Sequence, residues 1–365
     1  MSRKTNFINN AITLVITLIG LVAVVLVADR TYSMKTGNFF LLVVAGALVG
    51  GFFTALLHET GHLLVGKLNG FAFLSMTVWF FNWKRERGKI VFSLVPIGEE
   101  AGYTEMAPKS TEDLERRFVK MTRGGLLFTL ISVVIGAVPF VFLGKISAAA
   151  FTILSMFLPM GLYYFFGNAL PYESGGEGND GKVLIDIKRK SDDSKVFIAM
   201  LKIQSELFNG KTPGEIDEKY YFDVPQLPED DMNFVRLLTA RYAYYVDKGE
   251  YAEAKAVTDR LLSLEEYLPR KLNDMFKTYE LYNSCTFDFN AERADEIVVD
   301  IGKYLDKHNG SLEIRAKMAY ILYVKEEKAD LDMFYKKAVL EANKCNLRGL
   351  GVFERKLVEE IKKDF

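Results

Sequence analysis

Four long apolar runs in the first 170 residues constrain the fold more than any other feature of the chain. Residues 11–28, 124–144 and 146–169 carry no Asp, Glu, Lys or Arg, and 39–66 carries only Glu59. A helix needs about 20 apolar residues to cross ~30 Å of hydrocarbon, so each run predicts a spanning helix. The first run follows Arg3 and Lys4 as a secretory signal would. It is longer than a signal core, however, and Asp29-Arg30-Thr31-Tyr32 is a poor small-residue cleavage site. After residue 180 charged residues recur in every block of ten and no stretch can span; the mean hydropathy of +0.08 averages over that split. The expected fold is an α-helical integral membrane protein of about four transmembrane helices with a small β-hairpin insertion, followed by an all-α soluble domain. Residues 1–190 form the membrane-embedded domain, 191–231 an amphipathic helix and linker, and 232–365 a helical domain.

Composition removes several classes of protein. An aromatic content of 13% excludes a disordered chain, and two cysteines, Cys285 and Cys345, exclude a disulfide scaffold. A net charge of −1 lacks the basic footprint of a nucleic-acid binder. Charge also predicts orientation. With a cytoplasmic N-terminus, the only Lys and Arg in the outer loops 29–38 and 144–150 are Arg30, Lys35 and Lys145. The segment 67–123 then faces the cytoplasm with Lys67, Lys84, Arg85, Arg87, Lys89, Lys109, Arg116, Arg117, Lys120 and Arg123. The C-terminal domain follows it into the cytoplasm, where two reduced cysteines are at home. A bacterial plasma membrane is the expected location.

Within the apolar half, Phe71–Phe81 is rich in aromatic and β-favouring residues. The charged turn Lys84-Arg-Glu-Arg-Gly88 and a second apolar stretch, Lys89–Ile97, follow it. The pattern predicts a β-hairpin whose strand 71–81 offers an edge to an extended peptide.

The chemistry is concentrated in His58-Glu59-Thr60-Gly61-His62. Residues four apart share a helix face, so two imidazoles meet one ion, and the carboxylate beside them can take a proton from a metal-bound water. This is the layout of a zinc hydrolase with Glu59 as base, and its place inside an apolar run favours function over packing. Only one other histidine exists, His308, in a polar stretch. A catalytic zinc takes a third protein ligand. The stretch that closes the fourth run, Asn168-Ala-Leu-Pro171-Tyr-Glu-Ser-Gly-Gly-Glu177-Gly-Asn-Asp180-Gly181, offers Asp180 and Glu177. By the topology above it leaves the membrane on the same side as His58 and His62.

Over roughly residues 40–182 the chain resembles the site-2 protease family of intramembrane zinc metalloproteases. His58-Glu59-x-x-His62 matches the family's zinc-binding helix. Arg123-Gly124-Gly125-Leu126 looks like a degenerate form of its glycine-containing segment. Asn168-x-x-Pro171 with Asp180-Gly181 matches its Asn-x-x-Pro…Asp-Gly motif, whose aspartate is the third ligand. The family usually has four residues between that proline and that aspartate, and here there are eight, which leaves Glu177 as a competitor. The resemblance implies hydrolysis of a membrane-spanning protein or peptide substrate that must first unwind, with Asn168 helping to position it. Gly46, Gly50 and Gly51 allow close helix approach.

In the tail, 192–208 reads as an amphipathic helix and 209–231, with Pro213, Pro225 and Pro228, as a linker. From 232 the small/large spacing of Ala240, Ala243, Gly249, Tyr251, Ala252, Ala254 and Ala256 is similar to a tetratricopeptide unit, with echoes at 291–294 and 331–338. Such arrays offer a surface to a protein partner. The competing reading is a non-enzymatic membrane scaffold that recruits partners through this domain; a transporter is disfavoured by the lack of internal repeats among the four runs.

Overall fold

The computed structural model describes residues 3–33, 36–96, 102–174 and 176–365; the side chains of Arg3 and Glu177 lie outside the description. The chain divides into two compact units, the first formed by Met1–Arg85, Ile90–Ala107 and Glu112–Ser194, the second by Lys195–Phe365 with the short segments Glu86–Lys89 and Pro108–Thr111.

In the first unit four helical segments are long and apolar enough to cross a membrane: Lys4–Tyr32, Thr36–Leu68, Leu114–Val141 and Ala148–Ala169. They carry helices α1 (Arg3–Tyr32), α2 (Thr36–Leu68) and α3 (Leu114–Val141), then α4 (Ala148–Ser155) and α5 (Phe157–Ala169). Helix α1 extends past its uncharged run at both ends and α3 begins ten residues before its own, because a helix continues into the charged turns that flank its apolar stretch. Leu114–Arg123, for example, supplies the polar head of α3. The fourth segment breaks at Met156. Pro159 has no amide hydrogen to give to Ser155, and its ring crowds that carbonyl; the Ser155 hydroxyl donates back to Phe151 O at 2.6 Å. The break is where neighbours come closest. A Cβ on Gly50 would lie 3.2 Å from Met156 O, and one on Gly136 2.0 Å from Leu158 N. Close packing is therefore the role of Gly46 and Gly50, both of which face Met156.

Between α2 and α3 lie β1 (Phe71–Val78), β2 (Phe81–Glu86), β3 (Lys89–Leu94) and β4 (Gly102–Pro108), in sheet order β3-β2-β1-β4. This corrects the expected two-stranded hairpin. The aromatic run 71–81 is two strands with a tight turn inside it. Trp79 adopts a left-handed φ of 56° there, and Val78 pairs with Phe81. Continuous β-favouring composition hid the reversal. The strand 71–78 has no free edge, since β2 and β4 flank it. Phe73, Met76 and Val78 are buried with Ala55 of α2, whereas every residue of β3 is exposed.

Beyond α5, the two-residue strands β5 (Glu173–Ser174) and β6 (Glu177–Gly178) pair antiparallel, and α6 (Asp180–Arg189) begins immediately after.

The second unit is helical: α7 (Asp192–Asn209), the short α8 (Lys219–Phe222), α9 (Met232–Lys248), α10 (Tyr251–Leu262), α11 (Arg270–Cys285), α12 (Ala291–Lys307), α13 (Ser311–Tyr323), α14 (Leu331–Ala342) and α15 (Arg348–Lys362). Residues 209–231 are not a free linker. Ile216 and Tyr221 are buried with Ile203 and Tyr244, the Tyr221 hydroxyl donates to Pro213 O at 3.0 Å, and Arg241 Nε donates to Tyr221 O at 2.9 Å. The prolines there shape a packed turn. The helices α10, α12 and α14 begin at Tyr251, Ala291 and Leu331, forty residues apart. That period is longer than the roughly 34 residues of a tetratricopeptide, so the domain is an array of helical hairpins with its own spacing. Ala254 and Ala294 hold equivalent, fully buried places in it.

Candidate metal centre

His58, Glu59 and Gly61 lie on the buried side of α2, where it meets α3 through glycines. A Cβ on Gly61 would lie 2.3 Å from Gly124 O, and one on Gly124 2.6 Å from Gly61 O. Backbone therefore faces backbone at this crossing. Gly125 leaves room for the imidazoles themselves, because a Cβ there would lie 2.3 Å from His62 Nε2 and 2.9 Å from His58 Cε1. The segment Arg123-Gly124-Gly125-Leu126, the least specific of the three motifs in sequence, thus has a physical reason for both glycines.

Hydrogen positions on the rings follow from their partners. His62 Nδ1 is 3.1 Å from Met121 O; a carbonyl only accepts, so Nδ1 carries the proton. His58 Nδ1 is 2.8 Å from Thr129 Oγ1, and that hydroxyl donates its single proton to Gly125 O at 2.9 Å. It therefore accepts from His58. In both neutral rings these partners fix Nδ1–H and leave Nε2 with a free lone pair. The two Nε2 atoms face each other at 3.1 Å. Asp180 Oδ2 is 3.4 Å from one and 3.3 Å from the other. That oxygen is buried and, among the described residues, makes no hydrogen bond. With both imidazoles neutral, three lone-pair donors converge with no proton between them, an arrangement that a metal ion satisfies, and their ligand atoms all lie within 4.8 Å of one another.

No protein-family model, curated protein or solved structure matches this chain. The assignment of the site therefore rests on its own geometry.

Asp180 reaches the histidines despite its distance in sequence from Pro171. Asn179 N donates to Tyr172 O at 2.9 Å, and Asn179 Oδ1 accepts from Tyr172 N at 3.0 Å. Between these partners β5 and β6 pair antiparallel, Glu173 with Gly178 and Ser174 with Glu177, so the extra length closes on itself. Asn179 also caps α6, accepting from Lys182 N at 3.0 Å. Gly181 allows the helix to start against α5, since a Cβ there would lie 2.3 Å from Ala169 O. Glu177 contributes backbone to β6; as a competing ligand its side chain lies outside the described residues. Asn168 Nδ2 donates to Tyr164 O of its own helix at 2.9 Å. His308 belongs to the second unit, where its Nδ1 is 3.0 Å from Tyr304 O.

Glu59 is 5% exposed. The Thr104 hydroxyl of β4 donates to its Oε2 at 2.6 Å, and a Cβ on Gly102 would lie 2.6 Å from its Oε1. β4 therefore covers the carboxylate with one donor and one glycine. Sequence reasoning missed Thr104, Thr129 and Asn179. The two threonines are ordinary residues in β-like and apolar stretches, and only the Asn-Asp-Gly run hinted at a cap.

Proposed function

We propose that the chain is a zinc-dependent endopeptidase of the site-2 protease type that hydrolyses peptide bonds of membrane-spanning proteins. The observation that carries this reading is the convergence of two unprotonated Nε2 atoms and an unpartnered carboxylate oxygen beside a buried glutamate. Zinc held by His58, His62 and Asp180 would polarise a scissile carbonyl and acidify a water. Glu59 takes the proton of the attacking water and delivers it to the leaving amine, with Thr104 fixing which carboxylate oxygen stays free. The N-terminus and the second unit lie in the cytoplasm, on the side where Lys and Arg accumulate. The hairpin array is the surface for a protein partner.

Glu59→Gln keeps the ligands and removes the base. Membrane-fraction peptides from cells carrying this variant should accumulate a short list of membrane stubs that cells with the native protein clear. Equal peptide lists, with zinc bound in both proteins, would overturn the protease reading in favour of a scaffold.

A further inference from the structure

We infer that the first helix is part of the support of the metal centre: Asn6 and Asn9 of α1 are positioning residues that hold the loop presenting Asp180. The inference rests on the metal reading above. It identifies what fixes the third ligand, which neither α2 nor α3 carries.

The loop needs holding. Between Pro171 and Asp180 it contains three glycines and a serine, residues whose backbone freedom opposes a fixed ligand. Asn6 and Asn9 stand one turn apart on one face of α1. Asn9 Nδ2 donates to Pro171 O at 2.6 Å. Asn6 Nδ2 donates to Glu173 O at 2.6 Å, and its Oδ1 accepts from Glu173 N at 3.4 Å. From the other side Asn179 donates through Nδ2 to Gly167 O at 2.6 Å and Leu170 O at 2.7 Å. Its Oδ1 accepts from Tyr172 N and Lys182 N. Backbone from 170 to 173 is thus gripped between amides of α1 and the residue that directly precedes the ligand.

The direction of these side chains is informative. An amide on an apolar helix is costly unless bonded, and the cheapest partner is a carbonyl of its own helix, the one Asn168 uses. Asn6 and Asn9 instead reach residues more than 160 positions away. The neighbouring Asn10 is exposed. A helix that served only as an anchor has no need of two amides aimed at one loop.

The test is a cobalt titration of the full-length chain in detergent, reading both affinity, by chelator competition, and the visible ligand-field spectrum. Asn6→Ala with Asn9→Ala should weaken cobalt roughly 10–100-fold, as losses of the hydrogen bonds that hold a ligand do, and should alter the spectrum at saturation; Asn10→Ala should do neither. In an Asp180→Ala background the same pair should change affinity by less than about twofold, because its effect passes through that ligand. Unchanged affinity in the pair variant would overturn the inference, as would an equal loss in both backgrounds, which marks general packing. Should the pair variant not purify, Asn6→Ser and Asn9→Ser singly carry the same comparison. A native chain that takes up no cobalt sinks the metal reading itself, and this inference with it.

Discussion

Gly125 of α3 stands directly against the His62 ring, where a single methyl group would come within 2.3 Å of Nε2. The ring cannot yield without losing Met121 O, its Nδ1 partner. Gly125→Ala is therefore expected to abolish metal binding. Elemental analysis of the purified protein should find metal near background in this variant. Gly302→Ala, where a methyl meets nothing within 4 Å, should match the native protein.

Thr104 separates metal binding from turnover. Thr104→Val removes a donor to a carboxylate, an interaction of about 1.5–3 kcal/mol, and should slow clearance of membrane stubs roughly 10-fold or more while metal content stays native. Thr104→Ser keeps the hydroxyl and should restore most of the rate. Equal rates in the valine and serine variants would remove Thr104 from the mechanism.

Not all of this was open to sequence reasoning. His58, Glu59, His62 and Asp180 stand out because ionisable groups in or beside apolar runs are rare, and the apolar runs themselves located the four helices. Thr104, Thr129, Asn6 and Asn9 do not stand out. Each is a common polar residue whose meaning lies in which distant group it meets: a carboxylate for Thr104, an imidazole for Thr129, loop backbone for Asn6 and Asn9. The turn at Trp79 stayed hidden for a different reason. No glycine, proline or asparagine marks it, and the residues on both sides favour strands. In the tail, the same prolines that suggested a linker form a packed turn around Tyr221, because proline marks a change of direction and says little about burial.

The second unit carries a buried ion pair. Arg315 Nε lies 3.1 Å from Glu354 Oε2, its Nη2 donates to Oε1 at 3.3 Å, and the guanidinium stands 3.9 Å from the centre of the Tyr282 ring. Glu354→Gln leaves a buried cation without its counter-charge and should cost about 3–5 kcal/mol, seen as a lower thermal midpoint. Replacing both partners, Arg315→Met with Glu354→Leu, should cost markedly less.

Cysteine reactivity gives a solution check on the same unit. Burial pushes the Cys285 thiol up to about 12, so at pH 8 its thiolate fraction is on the order of one in ten thousand, against about a quarter for an ordinary thiol. Cys345 is more accessible. Brief iodoacetamide treatment of the native chain should label Cys345 and spare Cys285, and denaturation should make the two equal. Prompt labelling of Cys285 in the native state would contradict the packing of α11.

The crossing of α2 and α3 also has a temporal side. Gly61 and Gly124 set carbonyl against glycine in both directions, so the helices cannot slide by one residue without collision. That register alone brings Met121 and Thr129 to the two rings. The imidazoles are thus oriented by residues 58–129, all synthesised before Asp180 leaves the ribosome. In chain order, the two-histidine part of the cluster thus has its supports before the third member is made.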